Sequence, residues 1–372
     1  MSRIVLIGPI KPFRGGMAHS TTLLAEKLSE KNELLVISFS RLFPKILYPG
    51  KFQLEQGKPP RGIKSKFLLD SINPVSWQKT LIEIRKFDPD TVIFEWWTTF
   101  LAPCYWFIAR GLEKPNITAI CHNIIQHERN PVDSILSNAF LGKVDNFVAV
   151  SEKNLKTMKK YAKGKNAGLL IEPTYDRIVS SKKIGKTAAR KKLGLKGKKV
   201  ILFFGFVRKY KGLEYLLKAM PELLKKHDCL LLVVGEFWEP KEKYTDLINE
   251  LGIEKNVKII DKYVKSEQVP VYFNACDAVV LPYVSGNASG IIKLAFGYNT
   301  PIITTKAGGN LELISHKKTG LLVKTKSPGE LAKAISSIYS NNLDLKIKKG
   351  MKEKLKEFKW TKEKEKIVLG KF

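Results

Sequence analysis

"KVILFFGFVRKYKGLEYLLKAMPELLKKHDCLLLVVG", residues 199–235, decides how this chain is built. The run Val200–Phe204 is apolar at every position, which suits a strand covered on both faces. "LEYLLKAMPELLKK" then repeats its apolar side chains at helical spacing, and "CLLLVV" returns to an unbroken apolar run. Strand, helix and second doubly covered strand form a parallel crossover unit.

The same alternation continues on both sides. "VKIID", "AVVLPY" and "PIITT" extend it toward the C-terminus. "RIVLIG", "ELLVISF", "DTVIFEW", "ITAICHN" and "NFVAVS" form an earlier series, with a helix expected from about Ala18 to Glu30. The polar stretch Ser180–Lys199 separates the series, although Ala188–Leu193 within it has helical character. A chain of 372 residues exceeds one ordinary core. The prediction is an α/β fold of two doubly wound, Rossmann-like domains, residues 1–180 and 181–355. Ligands of such sheets bind beyond the carboxyl ends of the strands, where strand order reverses.

Composition narrows the function classes. The four cysteines stand far apart in apolar runs, with no Cys/His cluster, so buried thiols in a reducing compartment are expected. "MSRIVLIGP" lacks the apolar core and cleavage site of a signal peptide. "VIFEWWTTFLAPCYWFIA" is interrupted by Glu95 and Pro103, short of a span. The expectation is a soluble, cytoplasmic protein. The formal charge of +30 suits anionic partners (nucleic acid, an acidic membrane surface or phosphorylated small molecules) or simply solvated lysine-rich faces, and charge alone does not choose. No groove-entering or base-stacking reader accompanies it, so nucleic acid is not expected as a partner.

Strand ends supply the candidate site. After "KVILFF", Gly205 permits close backbone approach, and Arg208 and Lys211 offer a guanidinium fork and a point charge suited to a diphosphate. A solvated loop is the alternative. After "AVVLPY", Ser285–Ser289 is small, Ser289 is a good N-cap, and the helix from about Gly290 points its amides at a ligand. An ordinary capped helix is the alternative there. Gly15-Gly16 lies between the first strand and helix but matches neither GxGxxG nor a Walker loop, which argues against dehydrogenases and NTPases. His122 ends "ITAIC", where an imidazole suits a substrate hydroxyl or developing charge, or else a purely structural place; Glu95, Trp96 and Trp97 end "DTVIF" and suit a sugar or lipid-linked acceptor, or simple packing. Asp88-Pro89-Asp90 has DxD spacing, yet falls at the amino end of its strand and reads as a turn. Residues 42–67 form a basic, aromatic, Pro-rich excursion that suits an anionic bilayer, or a solvated loop.

Taken in order, these segments resemble the family-4 retaining glycosyltransferases of the GT-B fold, along nearly the whole chain. "RGGMAHSTTLLAEKL", "CHN" followed by "QHE", "VAVSEKNLK", "GFVRKYKG", "VVGE", "YFNACDAVVLPY", "TTKAGGNLELI" and "TGLLV" carry the likeness. The resemblance implies two domains facing across a cleft, with a C-terminal helix, 356–372, crossing back onto the first. It implies transfer of a hexosyl group from a nucleotide diphosphate sugar to an acceptor hydroxyl with retention, without metal or other cofactor. Arg208, Lys211 and His122 would be catalytic. Gly15, Gly16, Gly205, Glu236, Tyr263, Asn287, Ser289, Gly290 and Ile291 would bind the donor. The chain departs from the family where many members carry a Glu-x7-Glu pair: Gly286 and Leu294 occupy those places, and a Ser-Gly-Ile helix start stands instead. A sugar-nucleotide epimerase and a donor-binding, catalytically impaired relative are the competing enzyme-like readings. DNA or RNA binding is the competing reading of another class.

Overall fold

A computed structural model describes residues 1–48, 50–55, 57–123, 131–162, 164–173, 184–195, 197, 199–286, 289–340 and 342–371. The chain divides into two units, Met1–Glu172 with Trp360–Phe372, and Pro173–Lys359.

The first unit holds a seven-stranded sheet ordered β3-β2-β1-β4-β5-β6-β7. Its strands are β1 Arg3–Ile7, β2 Glu33–Arg41, β3 Lys64–Asp70, β4 Thr91–Trp96, β5 Asn116–Cys121, β6 Asn146–Ala149 and β7 Asn166–Leu169. Every pairing is parallel. Alternate residues of β1 serve two cores. Val5 and Ile7 pack with Phe94, Tyr105 and Phe140, whereas Ile4 and Leu6 pack with Leu24, Leu28 and Ile93. The run is apolar throughout because both faces are covered. The helix Lys362–Val368 returns to this unit.

 
Both Val368 and Leu369 are buried in the core formed around Ile4, Leu6 and Ile93. Glu365 accepts a hydrogen bond from Asn32 Nδ2 at 2.9 Å.

The second unit holds a six-stranded sheet ordered β10-β9-β8-β11-β12-β13. Its strands are β8 Lys199–Phe204, β9 Cys229–Val234, β10 Val257–Ile260, β11 Ala278–Leu281, β12 Ile302–Thr305 and β13 Leu321–Val323, again all parallel. The helix Leu213–Leu224 connects β8 to β9 and buries Leu213, Leu216, Leu217, Met220 and Leu223, the helical stripe read in the sequence.

Two details correct the sequence reading, and a third agrees with it. The first division falls at Glu172/Pro173, not at 180/181, because Ser20 donates a hydrogen bond to Glu172 and ties it to the first unit. The second falls after Lys359, not 355, because the buried Phe358 ring packs 5.3 Å from Phe296. The polar break contains a helix of the second unit, Lys186–Leu193, held by Ala189 against Val271 and Ala275 and by Arg190 on Asp277 at 2.9 Å. The sequence also gave no sign of β3 and β7. Both are edge strands, only partly buried, so neither needs a continuous apolar run.

Asp88-Pro89-Asp90 is the turn expected. Asp88 caps the helix Pro74–Phe87 in the left-handed conformation, and Asp90 accepts from Arg3 N at 2.8 Å at the amino end of β4. Among the described residues, no helix is long and apolar enough to cross a membrane.

Candidate anion site and histidine cluster

Strand order reverses between β8 and β11 in the second sheet, and between β1 and β4 in the first. The loops leaving those strands therefore line each sheet's crevice.

In the second unit, the β8 and β11 loops are joined. Val284 N donates to Tyr210 O at 2.8 Å, and the Tyr210 and Tyr283 rings meet edge to face at 5.9 Å. Gly212, at φ 65°, lies against Pro282, where a Cβ would come within 2.2 Å of the carbonyl oxygen. Only glycine allows this approach. Lys211 folds back under the loop. Its Nζ sits 5.7 Å from the Tyr283 ring centre and 3.0 Å from where a Gly205 Cβ would stand. That same Cβ would touch Ile291 Cδ1 at 3.7 Å. Tyr283 OH in turn shares a hydrogen bond with Ser289 Oγ at 3.1 Å. Gly205, Lys211, Ser289 and Ile291 thus meet around Tyr283, a residue that the sequence reading left out although it stands two places beyond a strand end.

Lys211 is 8% exposed, and among the described residues no carboxylate lies within ion-pairing distance of it. Burial, and secondarily the Arg208 charge, push its ammonium down to about 7 from the ordinary lysine value. Arg208 itself is exposed and lies over the rings of Trp238 at 5.2 Å and Tyr210 at 5.3 Å. Trp238 leads to the remaining donor-edge candidates. Its Nε1 donates to the buried Glu236 at 3.2 Å, and its ring lies 4.4 Å from Phe206, which stacks on Tyr263 at 6.1 Å.

The helix Gly290–Tyr298 begins as expected, with Ser289 Oγ accepting from Ile291 N at 3.3 Å. The cradle is narrower than the sequence suggested. Ile291 N–H is engaged by that cap, and Ser289 N–H donates to the buried Asn310 Oδ1 at 3.1 Å. Of the three amides, Gly290 N–H alone has no partner among the described residues. Asn287 lies outside the described residues. Gly286 has φ 120° and lies against the Tyr210 ring, so a glutamate there would be strained. The missing family glutamate and this backbone conformation go together.

In the first unit, Gly15 takes φ 100° at the start of the helix Gly16–Ser29. Gly16 has ordinary backbone, and a Cβ there would meet nothing within 4 Å. His122 follows β5 and is fixed on several sides. Its Nε2 lies 2.6 Å from Glu95 Oε2, its Nδ1 lies 3.9 Å from Glu172 Oε1, and its carbonyl accepts from Asn154 at 2.7 Å. Gly8 makes room for this pair, since a Cβ there would come within 2.9 Å of Glu95 Cγ. Glu172 and Ser20 gave no signal in the sequence. His19, on the first helix, is pushed down to about 4 by burial and by Lys11, so it is neutral at physiological pH.

Two of the three residues assigned to an acceptor are corrected. Trp96 is 1% exposed and stacks on Phe140 at 5.0 Å, so it belongs to the core and offers no surface. Glu95 is equally buried and acts on its surroundings through His122. Trp97 is half-buried beside them. The "QHE" segment, residues 126–128, lies outside the described residues.

Residues 185–358 match the family described as Glycosyl transferases group 1. An uncharacterized glycosyltransferase of Methanocaldococcus jannaschii is 30% identical over 154 residues, covering 41% of this chain and 39% of that protein. The chain spans less than half the length of the curated relatives it matches. Sucrose-phosphate synthase from Thermosynechococcus elongatus superposes with a TM-score of 0.75 at 18% identity, over 99% of this chain and 97% of its own. Anabaena Alr3699/HepE, solved in complex with UDP, gives 0.72 at 17% identity, over 96% and 95%. At these identities the likeness is one of fold: two Rossmann-like units, as in GT-B glycosyltransferases.

Proposed function

We propose, from the match of residues 185–358 to the glycosyl transferases group 1, that the chain moves a hexosyl group from a nucleotide diphosphate sugar to an acceptor hydroxyl with retention. The observation that carries this reading is Lys211: a buried cation without a carboxylate partner among the described residues, at the switch point of its sheet. Such a group is costly to keep charged until an anion arrives. A diphosphate meets that need. As the bond between the anomeric carbon and the phosphate oxygen breaks, negative charge grows on the diphosphate, and Lys211, Arg208 and Gly290 N–H stabilise it. The acceptor oxygen forms its bond to the anomeric carbon on the face the diphosphate leaves, and the acceptor's hydroxyl proton passes to the departing diphosphate oxygen.

The aromatic group Phe206, Trp238 and Tyr263, with Glu236, lies on the same edge of the second sheet and suits the nucleoside. His122, oriented by Glu95, suits a sugar hydroxyl. The four free, buried cysteines agree with a reducing, cytoplasmic setting.

A panel of UDP-, GDP- and ADP-sugars tests the proposal. One of them is expected to raise the melting temperature and to be hydrolysed slowly without acceptor, with the sugar released or transferred as the starting anomer. EDTA is expected to leave the rate nearly unchanged, because fixed cations carry the charge. No stabilising donor in the panel, or strict dependence on magnesium or manganese, refutes it.

Gly16 supplies a separate prediction. Gly16→Ala is expected to melt at or slightly above wild type, since alanine favours a helix by roughly 0.5–1 kcal/mol over glycine. Turnover is expected to fall, because the added methyl enters unfilled space that the proposal assigns to the donor. Undiminished turnover would remove Gly16 from the site.

A further inference from the structure

We propose that residues 45–48 and 50–54, with Ile72 and Val75 beside them, dock the first unit on an anionic lipid bilayer. Eleven large hydrophobic side chains are exposed among the described residues, and six of them are Ile46, Leu47, Phe52, Leu54, Ile72 and Val75. Their concentration is topological. Residues 42–48 and 50–55 follow the carboxyl end of β2, and Ile72 and Val75 follow the carboxyl end of β3. Those two ends are joined by Ser71 N donating to Arg41 O at 3.0 Å and by Arg41 Nε on Asp70 at 3.0 Å. The apolar side chains therefore leave one edge of one sheet. Ile46 is 93% exposed and Phe52 70%, so these are not the rims of core residues.

The excursion is not loose chain. Arg14 N donates to Gln53 O at 2.9 Å, Glu55 N to Pro12 O at 2.8 Å, and Arg14 Nη1 to Phe52 O at 2.8 Å. The Gln53 side chain accepts from Phe43 N at 3.1 Å and donates to Phe43 O at 2.7 Å. The backbone is thus satisfied while the apolar side chains point to water, an arrangement that calls for a partner.

Charge selects the kind of partner. Lys45, Lys51, Lys58, Arg61 and Lys64 are exposed in and around the excursion, against the single acid Glu55 between residues 45 and 64. Lysine is depleted from the cores of protein–protein interfaces. Apolar side chains interleaved with lysine instead match the headgroup boundary of an anionic bilayer, where the carbons insert and the ammonium groups meet phosphate. Docking does not depend on the proposed transfer reaction.

The test uses the full chain and needs no turnover. Sedimentation is measured with phosphatidylcholine vesicles, and with vesicles that also contain phosphatidylglycerol, at low and high salt. Wild type is expected to sediment with the phosphatidylglycerol vesicles and to be partly released by salt. The double variant Ile46→Ser/Phe52→Ser is expected to melt like wild type yet to partition on the order of tenfold or more weakly, through loss of two inserted side chains. Failure of wild type to bind acidic vesicles at low salt overturns the proposal. So does wild-type partitioning by the double variant, which would leave only the general attraction of the +30 charge. A missing donor in the nucleotide-sugar panel would leave this result untouched.

Discussion

Lys211→Met is expected to cut transfer by on the order of a hundredfold or more, the loss typical when a preorganised charge-stabilising donor is removed. It is also expected to make the protein more stable. The native ammonium is held at about 7, against an ordinary value of 10.5. Below 7 the lysine is charged in both the folded and the unfolded chain, and the folded state bears the full cost of burying that charge. Between 7 and 10.5 the unfolded chain binds more protons, so this penalty is relieved as pH rises. The melting-temperature advantage of Lys211→Met is therefore largest at or below pH 7 and closes toward 10.5. Each kcal/mol recovered is worth roughly 2–4 °C for a domain of this size.

The same group predicts proton uptake on donor binding. At pH 8 the free Lys211 is mostly neutral, and a bound diphosphate favours its charged form. Donor binding should then take up close to one proton, and affinity should fall by up to about tenfold per pH unit above 7. Calorimetry of UDP-glucose, or of whichever donor the panel identifies, in buffers of different ionisation enthalpy reads the uptake directly. A pH-independent affinity between 7 and 9, or uptake that persists in Lys211→Met, would show that the diphosphate does not meet this lysine. Arg208→Ala is expected to cost less than Lys211→Met, because its guanidinium is exposed to solvent.

His122→Ala is the second large effect. Glu95 is buried and has His122 Nε2 at 2.6 Å as its side-chain partner. Removing the imidazole strands a carboxylate in the core, with an expected destabilisation of roughly 3–5 kcal/mol. Turnover should fall as well, through loss of the group proposed to meet the sugar. The double variant Glu95→Gln/His122→Ala separates the two effects. It should regain most of the stability, because the stranded charge is gone, and none of the turnover. Additive stability losses would mean that the pair is not coupled, and recovery of activity would mean that His122 has no part in the reaction.

Several features were legible in the sequence because each rests on local physics. Doubly apolar strands between helices announced the parallel sheets, and their ends located Gly205, Arg208, Lys211, Ser289 and His122. Other features were hidden because they arise between segments distant in the chain. Nothing near Glu172 or Ser20 in sequence signals that the two pair with each other, or that Glu172 lies near His122. Tyr283 and Asn310 were quoted only as parts of longer runs, yet they hold the start of the helix Gly290–Tyr298 in place. Trp96 misled for the opposite reason: a tryptophan at a strand's end suits a sugar or a core equally well until Phe140 is found stacked on it.

The sequence by itself determined the two parallel sheets and the strand ends where ligands gather, because apolar periodicity and turn chemistry are properties of neighbouring residues. Only the tertiary structure decided that Lys211 is buried while Arg208 is not, and that Glu95 answers to His122. Burial and the choice of partner depend on which distant segments pack together, and packing also sets the local dielectric on which a charge's proton affinity depends.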